Sequence, residues 1–364
     1  MRKKILLIRT GGTIESIAKN GHGLSPSVRG SIDGRFIDNI EKRFNIEVIT
    51  KRPLVEGRRK NVLKDSTEMG VEDWKRIARC LANMSNRSKH LGGAIVTHGT
   101  DTMTYAASAL TFMLSKLYIP VILTGSEIPW NLQESDGPRN LANSFKAALS
   151  LDPGVFILFG SRILLGCRSV KMHSGNPEGF DSPNYPKVGE ISGDSNLRMF
   201  SKIDSYNLAG RDRKIELYDH FYPDLFTIQI TPDSSPDILY KVGNVPILIS
   251  AYGLGNIPSR WKEVITELST KIPIAITTQC PRGGVRTEVY DVGAPKTTIS
   301  CGDMTFSCAA IKFRWAIGEH FTAKNGTLKL KSAKWNFEDA MAAVRDTVCT
   351  NYHGELTERN RLHL

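Results

Sequence analysis

Two apolar runs that each end in a glycine turn presenting a threonine constrain this chain more than any other feature. The first, Ile5-Leu6-Leu7-Ile8-Arg9, runs into Thr10-Gly11-Gly12-Thr13-Ile14. The second, Ala94-Ile95-Val96, runs into Thr97-His98-Gly99-Thr100-Asp101-Thr102-Met103. A strand that is apolar at nearly every position is buried on both faces, as in a parallel sheet covered by helices. A tight loop at its carboxyl end then opens on the crevice where parallel α/β sheets bind ligands. Two hydroxyl-bearing loops can thus share one pocket although they lie about ninety residues apart.

The apolar runs at 4–9, 93–97, 119–124 and 154–159 predict buried strands. Helical spacing falls between them, at 71–84, 103–117 and 140–151, with Ala106, Ala107, Leu110 and Met113 forming a core-facing stripe in the second. From 186 to 224 the pattern dissolves into Gly, Asp, Ser and Asn, followed by the charged stretch Gly210-Arg211-Asp212-Arg213-Lys214. Alternation then resumes, with strands near 246–251 and 273–278 and helices near 260–270, 305–317 and 337–349. This predicts a two-domain α/β chain: a larger mostly parallel sheet flanked by helices over 1–190, a linker over 191–224, and a smaller flavodoxin- or Rossmann-like α/β domain over 225–364.

A length of 364 residues makes two domains the default, and 40% hydrophobic with 23% charged residues is ordinary for a soluble globular protein. No window approaches the roughly 18 apolar residues of a membrane helix. Met1-Arg2-Lys3-Lys4 before Ile5 looks like the start of a signal peptide. Its apolar stretch is too short, however, so it reads as the first strand of a cytoplasmic protein. Six scattered cysteines without a CxxC pair predict free, mostly buried thiols, and neither a metal nor another cofactor is expected. The net charge of +11 gathers partly between Arg35 and Arg59. Without stacking aromatics or a binding motif it reads as a solvated basic surface, and nucleic acid is not an expected partner.

Several residues could carry chemistry. Thr13 follows two glycines that let the backbone approach a ligand, but it is equally a strand-end turn. Asp101 or Thr102 could cap the helix that begins at Met103, and the same helix start could hold a carboxylate or oxyanion. His98 could be a general base or a brace for its loop. Lys171 is either a surface lysine or, if buried beside a hydroxyl, a base. Asp65-Ser66-Thr67-Glu68 reads as a capping segment whose hydroxyls could also clasp a carboxylate.

Together and in this order these motifs resemble the bacterial-type L-asparaginases. Asp65 to Met69, Leu123-Thr124-Gly125-Ser126, Ser135-Asp136-Gly137, Arg168 with Lys171, Tyr252-Gly253-Leu254-Gly255-Asn256 and Gly302-Asp303-Met304-Thr305 fit the same pattern. The resemblance runs from about residue 4 to 357, and Phe180-Asp181-Ser182-Pro183-Asn184 is similar to the cytoplasmic type I branch. It implies hydrolysis of a side-chain amide through an acyl-enzyme, with Thr13 as nucleophile. Thr100, Asp101 and Lys171 would form a second triad in which Lys171 helps remove a proton and Asp101 also binds the substrate's α-amino group. Ser66 and Thr67 would hold the α-carboxylate, and the Ser126 main chain would lie near the scissile amide. A homodimer or homotetramer is implied, with Asn256 a candidate contribution from a partner protomer.

Three positions depart from the family pattern: Leu24, Glu127, and Ser307, which replaces a glutamate common after Gly302-Asp303-Met304-Thr305. Leu24, in Gly21-His22-Gly23-Leu24-Ser25-Pro26, stands where many relatives carry the tyrosine that bonds the nucleophile. Tyr290 is the candidate substitute, or else a core tyrosine. Glu127 replaces a glutamine or small residue and puts a negative charge close to the pocket mouth. Two other functions fit less well. One is the ammonia-generating component of a glutamyl-tRNA(Gln) amidotransferase, which normally carries an extra domain before the first threonine motif. The other is a low-turnover ligand-binding relative.

Overall fold

The computed structural model describes residues 2–357 apart from 20–21, 27–29, 89, 192–195, 201–213 and 325–326. The charged stretch around Arg211 and Arg213, much of the expected linker, and Gly21 lie outside the described residues. Contacts divide the chain into two units, Met1–Tyr218 and Asp219–Leu364.

In the first unit β1 (Lys3–Arg9) is buried from Ile5 to Arg9, as its unbroken apolar run requires. Around it lie β2 (Ile46–Lys51), β3 (Leu91–Thr97), β4 (Pro120–Thr124), β5 (Gly154–Phe159), β6 (Arg162–Leu165), β7 (Gly189–Ile191) and β8 (Leu197–Met199). The sheet order is β8-β7-β6-β5-β4-β3-β1-β2. The first five strands are mutually parallel and the last three are added antiparallel. Its parallel part has the doubly wound order 2-1-3-4-5, whose switch point falls between β1 and β3. Arg9 pairs with Thr97 and Thr97 with Thr124, so β1, β3 and β4 end at one level.

The helices are α1 (Gly34–Phe44), α2 (Val71–Arg87), α3 (Met103–Met113) and α4 (Gly137–Ser150). Every residue of α3 except Tyr105 is buried, which suits a helix apolar on all sides. It stops four residues short of the expected end. Leu114–Ser115 pairs instead with Glu216–Leu217, and Lys116 takes a left-handed φ of 55°. α1 was not expected from the sequence. Asp33 caps its start, Asn45 closes it at φ 51°, and Glu41 accepts the Val48 amide on the open edge of β2 at 2.7 Å.

The second unit holds a parallel sheet in the order β9 (Phe226–Gln229), β10 (Ile247–Ala251), β11 (Ile274–Thr278) and β12 (Ile299–Ser300). Its helices are α5 (Ile238–Lys241), α6 (Ser259–Leu268), α7 (Phe306–His320) and α8 (Phe337–Cys349). Trp261, Ile247, Ile249, Ile265, Ile274 and Ile276 form the centre of its core. None of the six cysteines is in a disulfide, but Cys280 and Cys349 are exposed, so fewer are buried than expected. No described helix is long and apolar enough to cross a membrane.

Candidate active site

The switch point between β1 and β3 gathers three turns by backbone contact. The Thr10 amide and hydroxyl both donate to the Thr97 carbonyl, at 3.3 and 2.6 Å. Lys64 donates its amide to Thr10 at 2.8 Å, and its carbonyl accepts the Gly12 amide at 3.0 Å. Gly12, at φ 80° and ψ −175°, lies directly against the backbone of Gly99. A Cβ on Gly99 would in turn come within 2.6 Å of the Ser66 hydroxyl oxygen. The turns that carry Thr13, Ser66 and Thr100 are therefore pressed together, with Thr13 half-buried and Ser66 and Thr100 buried.

Each turn is also fixed from within. Asp65 Oδ1 accepts the amide and the hydroxyl of Thr67, at 2.9 and 2.8 Å, so the capping role foreseen for this segment serves the short turn Ser66–Glu68. Thr102 occupies the N-cap position of α3 without capping it. Its hydroxyl donates to the Ser66 carbonyl at 2.7 Å and ties the second threonine loop to the Ser66 turn. Arg9 donates twice to the fully buried Glu15, at 2.6 and 2.5 Å, and Glu15 also accepts the Ser31 amide at 3.0 Å. This clasp locks the turn that follows Thr13, and nothing in the local pattern of Arg9 and Glu15 announced it.

Lys171 enters from the short strand Val170–Lys171, which pairs with Phe180–Asp181. Its Nζ donates to Thr100 Oγ1 at 2.7 Å and to Asp101 Oδ1 at 2.8 Å. The Lys171 side chain is only 16% exposed, so it is not a solvated surface lysine, whereas that of Asp101 is 61% exposed. Ser126 is buried at the end of β4, with its hydroxyl donating to the Ile128 carbonyl at 2.7 Å. Glu127 faces Lys171, and burial pushes its carboxyl above the usual carboxylate range against the opposing effect of Lys171.

His98 is fully buried, and burial lowers its pKa to about 4. A carbonyl can only accept, so the 2.8 Å contact of Nδ1 with the Gly99 carbonyl makes Nδ1 the donor in a neutral ring. With Nε2 buried and unpartnered among the described residues, the imidazole braces its loop.

Tyr290 and Asn256 belong to the second unit. Tyr290 is 54% exposed and so is not a core tyrosine. Its carbonyl accepts the Gly293 amide at 2.9 Å in a tight turn. Asn256 and Tyr252 exchange backbone hydrogen bonds of 2.8 and 3.0 Å, closing the Tyr252–Asn256 loop. Of the segment Gly21–Pro26, residues 22–26 pair with 16–19, placing Leu24 opposite Ala18.

A family model described as "Asparaginase, N-terminal" matches residues 4–203, and one described as "Glutaminase/Asparaginase C-terminal domain" matches residues 225–325. The L-asparaginase of Thermococcus kodakarensis is 34% identical over 323 residues, 86% of this chain and 93% of that protein. A glutamyl-tRNA(Gln) amidotransferase component of the same organism is 27% identical, over 98% of this chain and 77% of that protein. The crystal structure of L-asparaginase I from Vibrio cholerae has a TM-score of 0.78 and 25% identity, covering 98% of this chain and 100% of that one. The chain belongs to the L-asparaginase family, among its type I members.

Proposed function

We propose that this protein is an amidohydrolase that converts L-asparagine to L-aspartate and ammonia through an acyl-enzyme on Thr13. The Thr13 hydroxyl oxygen attacks the side-chain amide carbon, the C–N bond breaks, and the nitrogen leaves as ammonia after gaining a proton. Water then hydrolyses the ester to release aspartate and restore the hydroxyl. The observation that carries this reading is Lys171 Nζ bonded to both Thr100 Oγ1 and Asp101 Oδ1, on a turn packed against the one bearing Thr13. A threonine hydroxyl is a weak nucleophile until a neighbouring group manages its proton. Thr100, Asp101 and Lys171 have that task here.

A zwitterionic amino acid needs one site for its carboxylate and one for its ammonium. Ser66 and Thr67, on a turn fixed by Asp65, suit the carboxylate. The exposed Asp101 carboxylate suits the ammonium. The Ser126 main chain sits beside the amide, Tyr290 assists Thr13, and Asn256 is contributed from a partner protomer of a homodimer or homotetramer. The enzyme works in the cytoplasm.

The relatedness to an amidotransferase component favours a second reading, ammonia supply to glutamyl-tRNA(Gln). Ammonia release from free asparagine and glutamine, measured on purified protein without tRNA, separates the two. Thr13→Ala and Thr100→Ala should each lower turnover by about 10³-fold or more with the fold intact, because members of such units are lost steeply. Near-wild-type turnover in Thr13→Ala would remove Thr13 as nucleophile. Ammonia release that needs tRNA would favour the second reading.

A further inference from the structure

Glu127 has no task in the reaction above, yet it stands against the Thr100 cluster. It follows β4 on a loop held by Asp136, whose carboxylate accepts the Glu127 amide at 3.1 Å, the Ile128 amide at 3.0 Å and the Asn140 side-chain amide at 3.0 Å. The Glu127 side chain is thereby directed inward and is only 13% exposed. Its Oε1 lies 3.8 Å from Lys171 Nζ, beyond hydrogen-bond reach, and is buried without a partner among the described residues. The same Nζ is 2.7 Å from Thr100 Oγ1, so the carboxyl and the threonine hydroxyl flank one ammonium.

Lys171 Nζ already donates to Thr100 Oγ1 and Asp101 Oδ1. An ammonium is a donor only and has no lone pair for a further proton. Thr100 Oγ1 accepts from Lys171, so its own proton must go elsewhere. The carboxylate with an unfilled oxygen beside the same ammonium is Glu127.

We propose that Glu127 is the proton acceptor for Thr100, so that Lys171 acts as a fixed positive charge and Glu127 holds the travelling proton. This rests on the asparaginase reading above. As the Thr13 oxygen bonds to the amide carbon, its proton passes to Thr100 Oγ1, and the Thr100 hydroxyl proton passes to Glu127. As the C–N bond breaks, Thr100 gives its hydroxyl proton to the departing nitrogen and is reprotonated by Glu127, so that ammonia leaves and Glu127 is again a carboxylate. Glu127 acts through Thr100 and is in that sense a positioning residue.

The charged groups facing Glu127 are Lys171, Asp136 and Asp101. Burial raises the carboxyl most, Lys171 opposes this, and the two aspartates reinforce it. The carboxylate is the working form, so kcat should fall as pH drops through a value above the ordinary carboxylate range.

The test measures kcat and KM for ammonia release from L-asparagine by the full chain across pH, for the wild type, Glu127→Gln and Glu127→Asp. Glu127→Gln should lower kcat by about 10²-fold, the lower end for a lost general base, with KM little changed and the acid limb moved to lower pH. Glu127→Asp keeps the charge on a shorter arm and should retain that limb with an intermediate kcat. Unaltered kcat and acid limb in Glu127→Gln would overturn the proposal. Equal losses in both variants with the limb unmoved would also do so, because they mark a packing role. Should Glu127→Gln fail to fold, a wild-type acid limb at or below the ordinary carboxylate range would overturn it. A wild type that releases no ammonia removes the asparaginase reading and the proposal together. Activity that survives unchanged in Glu127→Gln removes the proposal alone.

Discussion

Gly12→Ala is the substitution whose effect the geometry states most sharply. At φ 80° and ψ −175° Gly12 occupies a backbone region that is essentially reserved for glycine, and an alanine held there costs on the order of 1–3 kcal/mol. The added methyl also has no room. Its Cβ would overlap the Gly99 Cα and N and stand 2.9 Å from the His98 carbonyl carbon, all main-chain atoms that cannot rotate away. Overpacking of this kind costs about 1–3 kcal/mol more, for a combined loss of about 2–6 kcal/mol. A domain of 218 residues loses roughly 2–4 °C of Tm per kcal/mol, so Tm should fall by on the order of 10 °C. Activity should fall further than stability requires, because the turns bearing Thr13 and Thr100 must separate, and a shift of about 1 Å in reacting groups can cost about 10²-fold. Gly57→Ala is the internal control. Its φ is 56° but no heavy atom lies within 4 Å of the added carbon, so it bears only the left-handed strain of about 1–2 kcal/mol and should keep full turnover. Thermal melts and ammonia release at saturating asparagine read both effects. A Gly12→Ala protein with the melting point and kcat of the wild type would refute the packing argument. So would a Gly57→Ala protein as inactive as Gly12→Ala.

Three further outcomes follow from buried charge and from the second unit. His98 has a folded pKa of about 4 against 6.5 for the free ring, so the unfolded chain binds its proton first as pH falls. Its contribution is fully present above about pH 6.5 and is lost progressively toward pH 4, on the order of 3 kcal/mol in all. Urea unfolding of wild type and His98→Asn at both pH values checks this, and an equal pH dependence in the two would contradict it. Lys312 and Glu355 form a 2.6 Å pair with both side chains at zero exposure, so Lys312→Met should cost about 3–5 kcal/mol by leaving a buried carboxylate without its cation, held only by the Tyr352 and His353 amides among the described residues. Adding Glu355→Gln should recover most of that loss, and a double variant as unstable as the single one would show that packing, not charge, is at stake. Tyr290→Phe should slow the acylation burst if that exposed tyrosine assists Thr13, whereas an unchanged burst would assign activation to another group.

Much of the fold was legible because burial on both faces leaves a mark in the residues. β1, β3, β4 and β5 are continuous apolar runs, and the structure buries them almost completely. Elements with mixed surroundings left no such mark. β2 is the edge strand Ile-Glu-Val-Ile-Thr-Lys, half open to solvent, and together with α1 it was visible only as a density of basic residues. β12 has two residues and is a strand only because β11 lies beside it. The expected tail of α3 is lost because Leu114 and Ser115 find partners a hundred residues later, in Glu216 and Leu217.

The candidate site divides along the same line. Glycine turns at strand ends are local, and register brings those strand ends level, so the nearness of Thr13 to Thr100 could be inferred from each motif separately. The surroundings of a charged side chain are not local. Lys171 reads as a surface lysine until the pairing of Val170–Lys171 with Phe180–Asp181 turns its Nζ toward Thr100, 71 positions earlier in the chain. Glu127 could be flagged as an added negative charge, but not as a carboxylate with an empty oxygen, because that depends on Asp136 fixing its loop and on Lys171 stopping 3.8 Å away. A short motif can state which groups are available for proton transfer. Which of them holds the proton depends on what each is already bonded to: Lys171 Nζ is committed to Thr100 and Asp101, whereas Glu127 Oε1 has no partner among the described residues.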